Sequence, residues 1–243
     1  CAVGPDYNRP YVPVPKDYRH VRGEETDVNL LKARWWTEYH DPNLDFFVSK
    51  AIANNRTLQQ TMANVERAAA ALTTARANLF PQLNYSGDLG KSKASLNTPT
   101  GAAMGDKPIK SYEVLATASW EIDLWGKIRR QTESAQASLR ATEAAHRAAI
   151  SSVIGSVIST YLSILMTEEQ YKIAEETAES YHKTYQLFLL RFNHGNVSEM
   201  EVAQAWSQWE SAMVQIPQIR QNRTELKNSL SILTGVPVED FPK

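Results

Sequence analysis

The strongest constraint on the fold is a strand pattern that runs almost directly into a very long helical pattern. From Tyr112 to Leu124 apolar and polar residues alternate, which gives a predicted strand one almost wholly apolar face. After Trp125-Gly126 a helical pattern begins and continues to Phe192, with no proline and a single glycine, Gly155. At about 1.5 Å per residue, this predicted helix would span roughly 100 Å. Soluble globular domains seldom need such a helix, so the two patterns together favour an elongated protein.

Composition excludes several classes of protein. The chain has 243 residues, a net charge of −1 and 42% hydrophobic residues, so nothing indicates disorder or attraction to nucleic acid. No stretch reaches the roughly 18–20 consecutive apolar residues of a typical membrane-spanning helix. A membrane crossing would therefore use paired β-strands, the other way of satisfying every backbone group in lipid.

A second alternating stretch, from Gln82 to Leu89, precedes the first, and a loop at 97–110 containing two glycines and two prolines separates them. We interpret residues 82–124 as a transmembrane strand hairpin, because each strand could cross an apolar band of about 25 Å at a tilt. The alternative is that the apolar face packs on a soluble core. The residues predicted to face lipid are Val114, Ala116, Ala118, Trp120 and Ile122.

The sole cysteine is residue 1, so the chain can form no internal disulfide. Either a secreted protein carries Cys1 by chance, or Cys1 marks a lipoprotein whose signal peptide has been removed. We favour the lipoprotein and expect a covalent lipid on Cys1, with at least two acyl chains for stable anchoring. Ala2, in place of an aspartate, resembles lipoproteins that are sorted to the outer membrane.

The long helical pattern breaks at 193–197, at the end farthest from the strands. Gly195 can adopt the left-handed conformation that ends a helix, and Ser198 with Glu201 has the spacing of a capping box that begins the next one. We predict that this turn docks a partner protein. The predicted docking residues are Arg191, Gly195, Asn196, Val197 and Ser198. For Arg191, the alternative is that it only complements the helix dipole.

Motifs of catalysis are missing from the sequence. It contains no glycine-rich phosphate loop, no Gly-x-Ser-x-Gly elbow and no paired-cysteine motif. None of the five histidines has a second histidine or a cysteine at metal-ligand spacing. We expect no enzymatic activity, no metal site and no cofactor apart from the lipid on Cys1.

Several short motifs follow one another in a characteristic order. They are Gly4-Pro5-Asp6-Tyr7, Arg34-Trp35-Trp36, Asp41-Pro42, Asn54-Asn55-Arg56, Leu79-Phe80-Pro81, Ser119–Gly126, Arg191-Phe192 and Leu233-Thr234-Gly235. Together they resemble the lipoprotein branch of the TolC-like outer-membrane efflux channels, the outer membrane factors of RND-type tripartite efflux systems. The resemblance implies a homotrimer that shares one β-barrel and continues as a helical tunnel through the periplasm. It also implies a periplasmic adaptor (membrane fusion) protein and an inner-membrane pump as partners, with outer-membrane lipid around the barrel. The implied function is a passive exit duct for drugs or other toxic compounds.

We therefore predict an α+β membrane protein in which a long α-helical hairpin, of the coiled-coil or α-barrel kind, joins two strands of a transmembrane β-barrel. The predicted parts are an extended lipidated arm at 1–34, first helices at 35–81, the strand hairpin at 82–124, the helical hairpin at 125–235 with its tip at 193–198, and a linker to a second repeat at 236–243. The family has two repeats where this chain has one, so we expect the first half of a longer chain or a fragment. The alternative function is a periplasmic lipoprotein adaptor or structural coiled-coil protein without channel activity.

Overall fold

The computed structural model describes residues 3–13, 34–105 and 107–242. Five helices and two strands make up most of this part of the chain. In chain order they are α1 Pro42–Asn54, α2 Arg56–Ala77, β1 Gln82–Ser92, α3 Pro99–Met104, β2 Ile109–Ser119, α4 Lys127–Asn193 and α5 Glu199–Thr234, with short 3₁₀ helices at Trp35–Tyr39 and Val238–Asp240.

The chain divides into two compact units, each built from segments that are distant in sequence. The first comprises Cys1–Tyr18 and Val65–Thr142, and the second comprises Arg19–Asn64 and Glu143–Lys243. The first unit contains both strands and the start of α4, and the second contains the rest of α4 and all of α5.

The core of the second unit is formed by α1, α4 and α5. Its buried members are Trp36, Leu44, Phe47, Val48, Ala51, Leu58, Val153, Ile154, Val157, Ile158, Tyr161, Ile164 and Leu230. Aromatic rings close this core, because the ring of Phe47 lies 5.6 Å from that of Tyr161 and 4.8 Å from that of Phe241. The three- and four-residue spacing of the buried residues on α4 is the spacing that places them on one helix face.

Asp41 begins α1 and also ties it to α4. Its carboxylate accepts hydrogen bonds from the backbone amides of Asn43 (2.8 Å) and Leu44 (3.2 Å), as an N-cap does, and from the hydroxyl of Tyr161 (2.7 Å). Burial alone would raise the pKa of Asp41, but these three hydrogen bonds hold it below its ordinary value. Burial and the bond to Asp41 raise the pKa of Tyr161 to about 12, so its hydroxyl stays protonated and can donate.

Asn55 performs the same capping for α2 while bridging to α5. Its side-chain oxygen accepts from the amides of Thr57 (2.9 Å) and Leu58 (3.2 Å), and its side-chain nitrogen donates to the carbonyl of Leu233 (2.8 Å). Gly235 ends α5 with φ +66°, and a Cβ there would lie 3.0 Å from the Cβ of Asn54. A left-handed conformation and close packing therefore both favour glycine at this position.

The strand hairpin differs from its predicted bounds at the loop end. β1 reaches Ser92, and β2 already begins at Ile109, inside the predicted loop 97–110. Much of that loop is the short helix α3, which Thr98 caps by accepting a hydrogen bond from the amide of Gly101 (3.2 Å). The glycines and prolines therefore correctly predicted a break between the strands. They gave no indication of the short helix within that break.

The hairpin also ends earlier than predicted at its other end. The ladder begins with Gln82 paired to Ser119, and the preceding Pro81 has no N–H to donate to a further rung. Trp120 and Ile122 therefore lie beyond β2, and their prediction as strand residues is wrong. The alternation of apolar and polar residues continued past the point where backbone pairing could continue.

One described helix, α4, contains a segment long and apolar enough to cross a membrane by length and composition alone. The same test is passed by core helices of soluble proteins, so it is weak evidence. Val153, Ile154, Val157, Ile158 and Ile164 of this helix are buried in the core of the second unit. Of the apolar segment 33% is buried, so packing in this core accounts for part of its apolar character.

Candidate membrane hairpin and docking turn

The register of the hairpin places its larger apolar side chains on one face, apart from Leu115 and Ile109. Directly opposed residues of an antiparallel pair project to the same side of the sheet. The pairs on this face are Leu83 with Ala118, Tyr85 with Ala116, Gly87 with Val114, Leu89 with Tyr112 and, at the loop end, Lys91 with Lys110. We call this side of the sheet the apolar face. It includes Val114, Ala116 and Ala118, three of the five residues predicted to face lipid.

The opposite side of the sheet, the polar face, carries mostly hydrophilic residues. Its inner pairs are Asn84 with Thr117, Ser86 with Leu115 and Asp88 with Glu113. The hairpin therefore has the two-sided pattern of a strand pair between an apolar and an aqueous environment. Leu115 is the one large apolar side chain among these pairs.

Nothing in the described chain covers the apolar face. Tyr85 is 92% exposed and Val114 is 88% exposed, although both belong to a regular ladder. The described sheet has only two strands, so the outer edge of each has no strand partner among the described residues. An isolated two-stranded sheet is marginally stable in water, so this hairpin needs partners for one face and for both edges.

Aromatic side chains collect at the end of the hairpin where the strands leave α2 and enter α4. The indole nitrogen of Trp120 donates to the carbonyl of Leu79 (3.1 Å), which links the segment after β2 to the segment before β1. Phe80, Trp120 and Trp125 are all exposed. Aromatic residues at the edge of an apolar band are typical of the interfaces of membrane β-barrels.

The N-terminal arm lies against this end of the hairpin. The amide of Val3 donates to the carbonyl of Trp125 (3.1 Å), and Arg130 donates to the carbonyl of Gly4 (3.1 Å) and to Asp6 (2.9 Å). Side-chain hydrogen bonds with Glu133 and Asp6 raise the pKa of Arg130. Cys1 lies outside the described residues.

The first turn of α4 is stabilised by a carboxylate that precedes it. Asp123 accepts from the backbone amide of Arg129 (2.9 Å) and from its guanidinium (3.3 Å). Burial alone would raise the pKa of Asp123, but hydrogen bonds with the amides of Arg129 and Ile128 and with the Arg129 side chain hold it below its ordinary value. A negative charge is favourable here because helix N-termini carry partial positive charge.

At the other end of α4, the predicted turn has the hydrogen bonds of a Schellman motif. The amide of Asn196 donates to the carbonyl of Arg191 (2.9 Å), and the amide of Gly195 donates to that of Phe192 (2.8 Å). Gly195 has φ +75°, which lies in the left-handed region. The sequence therefore predicted both the position of this turn and the reason for its glycine.

Ser198 begins α5 in a capping box, as its spacing from Glu201 predicted. The amide of Glu201 donates to the Ser198 hydroxyl oxygen (3.4 Å), and the Glu201 carboxylate accepts from the Ser198 amide (2.7 Å). The backbone and side-chain hydrogen bonds from Ser198 lower the pKa of Glu201. These bonds give Ser198 a structural role, which is separate from its predicted role in docking.

The remaining predicted docking residues differ in how they are presented. Arg191, Gly195 and Asn196 are exposed, whereas Val197 is half-buried. Sequence reasoning missed Met200, which is 76% exposed in the first turn of α5. The helical periodicity did not indicate that Met200 is exposed, because an apolar residue in an amphipathic helix is normally assigned to the buried stripe.

Below the turn, aromatic and charged groups join α4 to α5. The ring of Trp209 lies 4.5 Å from that of His182 and 5.8 Å from that of Tyr185. Arg220 donates to the hydroxyl of Tyr171 (3.1 Å). Within the described ranges no group of His, Cys, Asp or Glu side chains could hold a metal ion.

Comparison with known proteins identifies relatives along most of this chain. The family model described as "Outer membrane efflux protein" matches residues 47–236. The probable outer membrane lipoprotein SilC of Salmonella typhimurium is 28% identical over 237 residues, which cover 96% of this chain and 50% of SilC. The probable efflux pump outer membrane protein TtgC of Pseudomonas putida is 28% identical over 247 residues, which cover 98% of this chain and 50% of TtgC.

A solved structure shares the fold. The outer membrane channel CmeC of Campylobacter jejuni superposes with a TM-score of 0.80 at 28% identity, over 99% of this chain and 52% of CmeC. The chain thus spans about half the length of the curated relatives it matches. The superposition confirms the predicted fold class, long helices joined to a small strand hairpin.

Proposed function

Because this chain belongs to the outer membrane efflux protein family, we propose that it supplies a strand hairpin and a helical hairpin to a passive efflux channel of the bacterial outer membrane. The observation that carries the proposal is the exposed apolar face of the strand hairpin. In lipid this face is favourable, whereas in water it would be a large unprotected surface. The family and its named members support a channel over the adaptor interpretation.

The unpaired strand edges indicate what else the channel needs. In lipid each unpaired backbone N–H or C=O costs several kcal/mol, so strands persist there only in a closed barrel. Two strands cannot close one, so further strands must pair with both β1 and β2. In the proposal, those strands come from further sequence and from other copies in a homotrimer. We use "the complete channel" for this chain together with those strands and copies.

The N-terminal arm supports a lipid anchor on Cys1. Val3 is hydrogen-bonded to Trp125, beside the end of the hairpin nearest to α4. Cys1 is two residues before Val3, a separation that an extended chain spans in at most about 7 Å. Acyl chains on Cys1 would therefore enter the same leaflet from which the hairpin emerges, at the periplasmic side of the outer membrane.

The turn between α4 and α5 is the proposed contact for a periplasmic adaptor protein, through which the channel would meet an inner-membrane pump. Its backbone groups are satisfied internally by the Schellman motif and the capping box. Arg191 and Asn196 are exposed, and their side chains form no hydrogen bond or ion pair among the described residues, so both are available for a partner. Drugs or other toxic compounds are the proposed cargo.

One experiment separates the channel from the adaptor. The complete protein is purified with Cys1→Ala, which removes any lipid, and is tested for monodispersity without detergent and for conductance in planar lipid bilayers. A channel requires detergent and conducts ions, because its strands still face lipid. A protein that is monodisperse without detergent and silent in bilayers would be an adaptor.

A further inference from the structure

The loop end of the apolar face carries a pair of opposed lysines. Lys91 and Lys110 are register partners, so their Cα atoms lie about 4.5–5.5 Å apart across the ladder. Both side chains are exposed, and neither forms an ion pair within the part of the chain that the structure describes. Like charges directly opposite each other destabilise a strand pair, so this arrangement has a cost in the isolated hairpin.

The two faces of the hairpin segregate their charges by sign. On the apolar face the only charged residues of the ladder are Lys91 and Lys110. On the polar face the only charged residues of the ladder are Asp88 and Glu113, which oppose each other. A lysine pair confined to the face that meets lipid indicates an anionic partner in the lipid rather than in the aqueous lumen.

The position of the pair along the strands identifies that partner more closely. From Leu83 to Lys91 the strand rises by roughly 26 Å, or about 20 Å along the membrane normal at the usual tilt, which is close to the thickness of the apolar band. The loop end is opposite to the end that enters α4, so it faces outward if α4 and α5 lie in the periplasm. Lysines at this height can extend to the lipid headgroups of the outer leaflet, whose phosphates are anionic.

We infer that Lys91 and Lys110 form a binding site for the phosphate of an outer-leaflet lipid headgroup, while the acyl chains of that lipid lie on the apolar face. A phosphate between the two ammonium groups replaces their repulsion with two charge-assisted hydrogen bonds. Tyr112 and Leu89, the next pair inward, are exposed and offer apolar surface to the same lipid. This inference rests on the proposed function, because it requires the apolar face to be in a bilayer.

The test uses the complete channel in nanodiscs of phosphatidylcholine, with bisphosphorylated lipid A added as the probe. Retained lipid A is counted by native mass spectrometry for the wild type, the double variant Lys91→Gln/Lys110→Gln and the control Lys107→Gln. Lys107 is also an exposed lysine at the loop end, but it lies outside the ladder. We expect the double variant to retain roughly 25-fold less lipid A, since each of its two lysines contributes about fivefold near an anionic surface. The control removes one loop-end lysine that has no partner in the ladder, so its loss should be about fivefold at most.

Two further arms identify the chemistry. Dephosphorylated lipid A should bind wild type and double variant equally, and excess inorganic phosphate should not displace lipid A if the acyl chains contribute. Equal retention of lipid A by wild type and double variant overturns the inference, as does an equal loss in Lys107→Gln. Protease protection of the hairpin in the same nanodiscs separates the two proposals: an unprotected hairpin contradicts the membrane insertion itself, whereas a protected hairpin with equal retention contradicts only the lipid site.

Discussion

The strand hairpin of the first unit and the helical core of the second unit contain similar apolar side chains in opposite surroundings. Val157 in the core has no exposed surface, whereas Val114 on the hairpin is 88% exposed. In the core the chain supplies its own apolar partners, so folding alone removes those side chains from water. On the hairpin the register orders the apolar side chains but nothing described covers them. The difference indicates that the hairpin is completed by its environment and the core is not.

The largest expected effect is on the free energy of unfolding, when one leucine in each region is replaced by alanine. Leu230→Ala should lower the free energy of unfolding by about 2–5 kcal/mol, because Leu230 is fully buried and its removal leaves a cavity. Leu83→Ala on the apolar face should cost less, because mobile acyl chains fill the space. Thermal unfolding of the complete channel in lipid nanodiscs measures both. Equal losses of unfolding free energy in the two variants would show that Leu83 packs against protein. Leu230→Met is the control, because it conserves volume and should cost less than about 1.5 kcal/mol.

A charge tests which face of the hairpin meets lipid. Ala116→Arg should reduce barrel assembly, since an arginine near mid-bilayer on a barrel exterior costs about 2–4 kcal/mol. Thr117→Arg, the next residue on the polar face, should assemble normally and alter only the lumen. The yield of folded trimer on unheated gels compares them, and an equal loss in both variants would contradict the assignment of the faces.

Sequence correctly predicted features that depend on adjacent residues and failed for features that depend on the partner strand. The turn at Gly195 and the cap at Ser198 depend on local backbone chemistry, which a few adjacent residues determine. The end of β2 depends on its partner strand, and the alternation through Trp120 and Ile122 carries no information about where Pro81 stops the ladder. The pairing of Lys91 with Lys110 depends on register across a loop that contains an unpredicted helix, so it could not be read from either strand alone.

Substitutions in the turn between α4 and α5 should weaken partner binding and leave trimer assembly unchanged. Gly195→Asp or Val197→Asp should leave trimers in the membrane, weaken crosslinking to the adaptor and raise drug sensitivity. Gly195→Asn is the matched control, because asparagine tolerates the left-handed conformation and adds no charge. Normal crosslinking and normal efflux in both aspartate variants would place the partner surface elsewhere.

The smallest effect concerns the acid stability of the core. The lowered pKa of Asp41 means that it stabilises the folded state above its ordinary pKa, and that this contribution is lost as pH falls through the folded pKa. Tyr161→Phe removes one hydrogen bond to Asp41, so the folded pKa should rise and melting temperature should depend less on pH between about 2 and 5. Tyr171→Phe on the same helix is the control and should leave this pH dependence unchanged.

Site-directed spin labelling of β2 tests most directly whether the apolar face lies in lipid. Single nitroxide labels at positions 112–118 of the complete channel, reconstituted in bilayers, are exposed in turn to oxygen and to a water-soluble nickel complex. We predict that labels at Tyr112, Val114, Ala116 and Ala118 collide mainly with oxygen, and that labels at Glu113, Leu115 and Thr117 collide mainly with nickel. Accessibility that does not alternate, or that alternates in the opposite phase, would contradict the account.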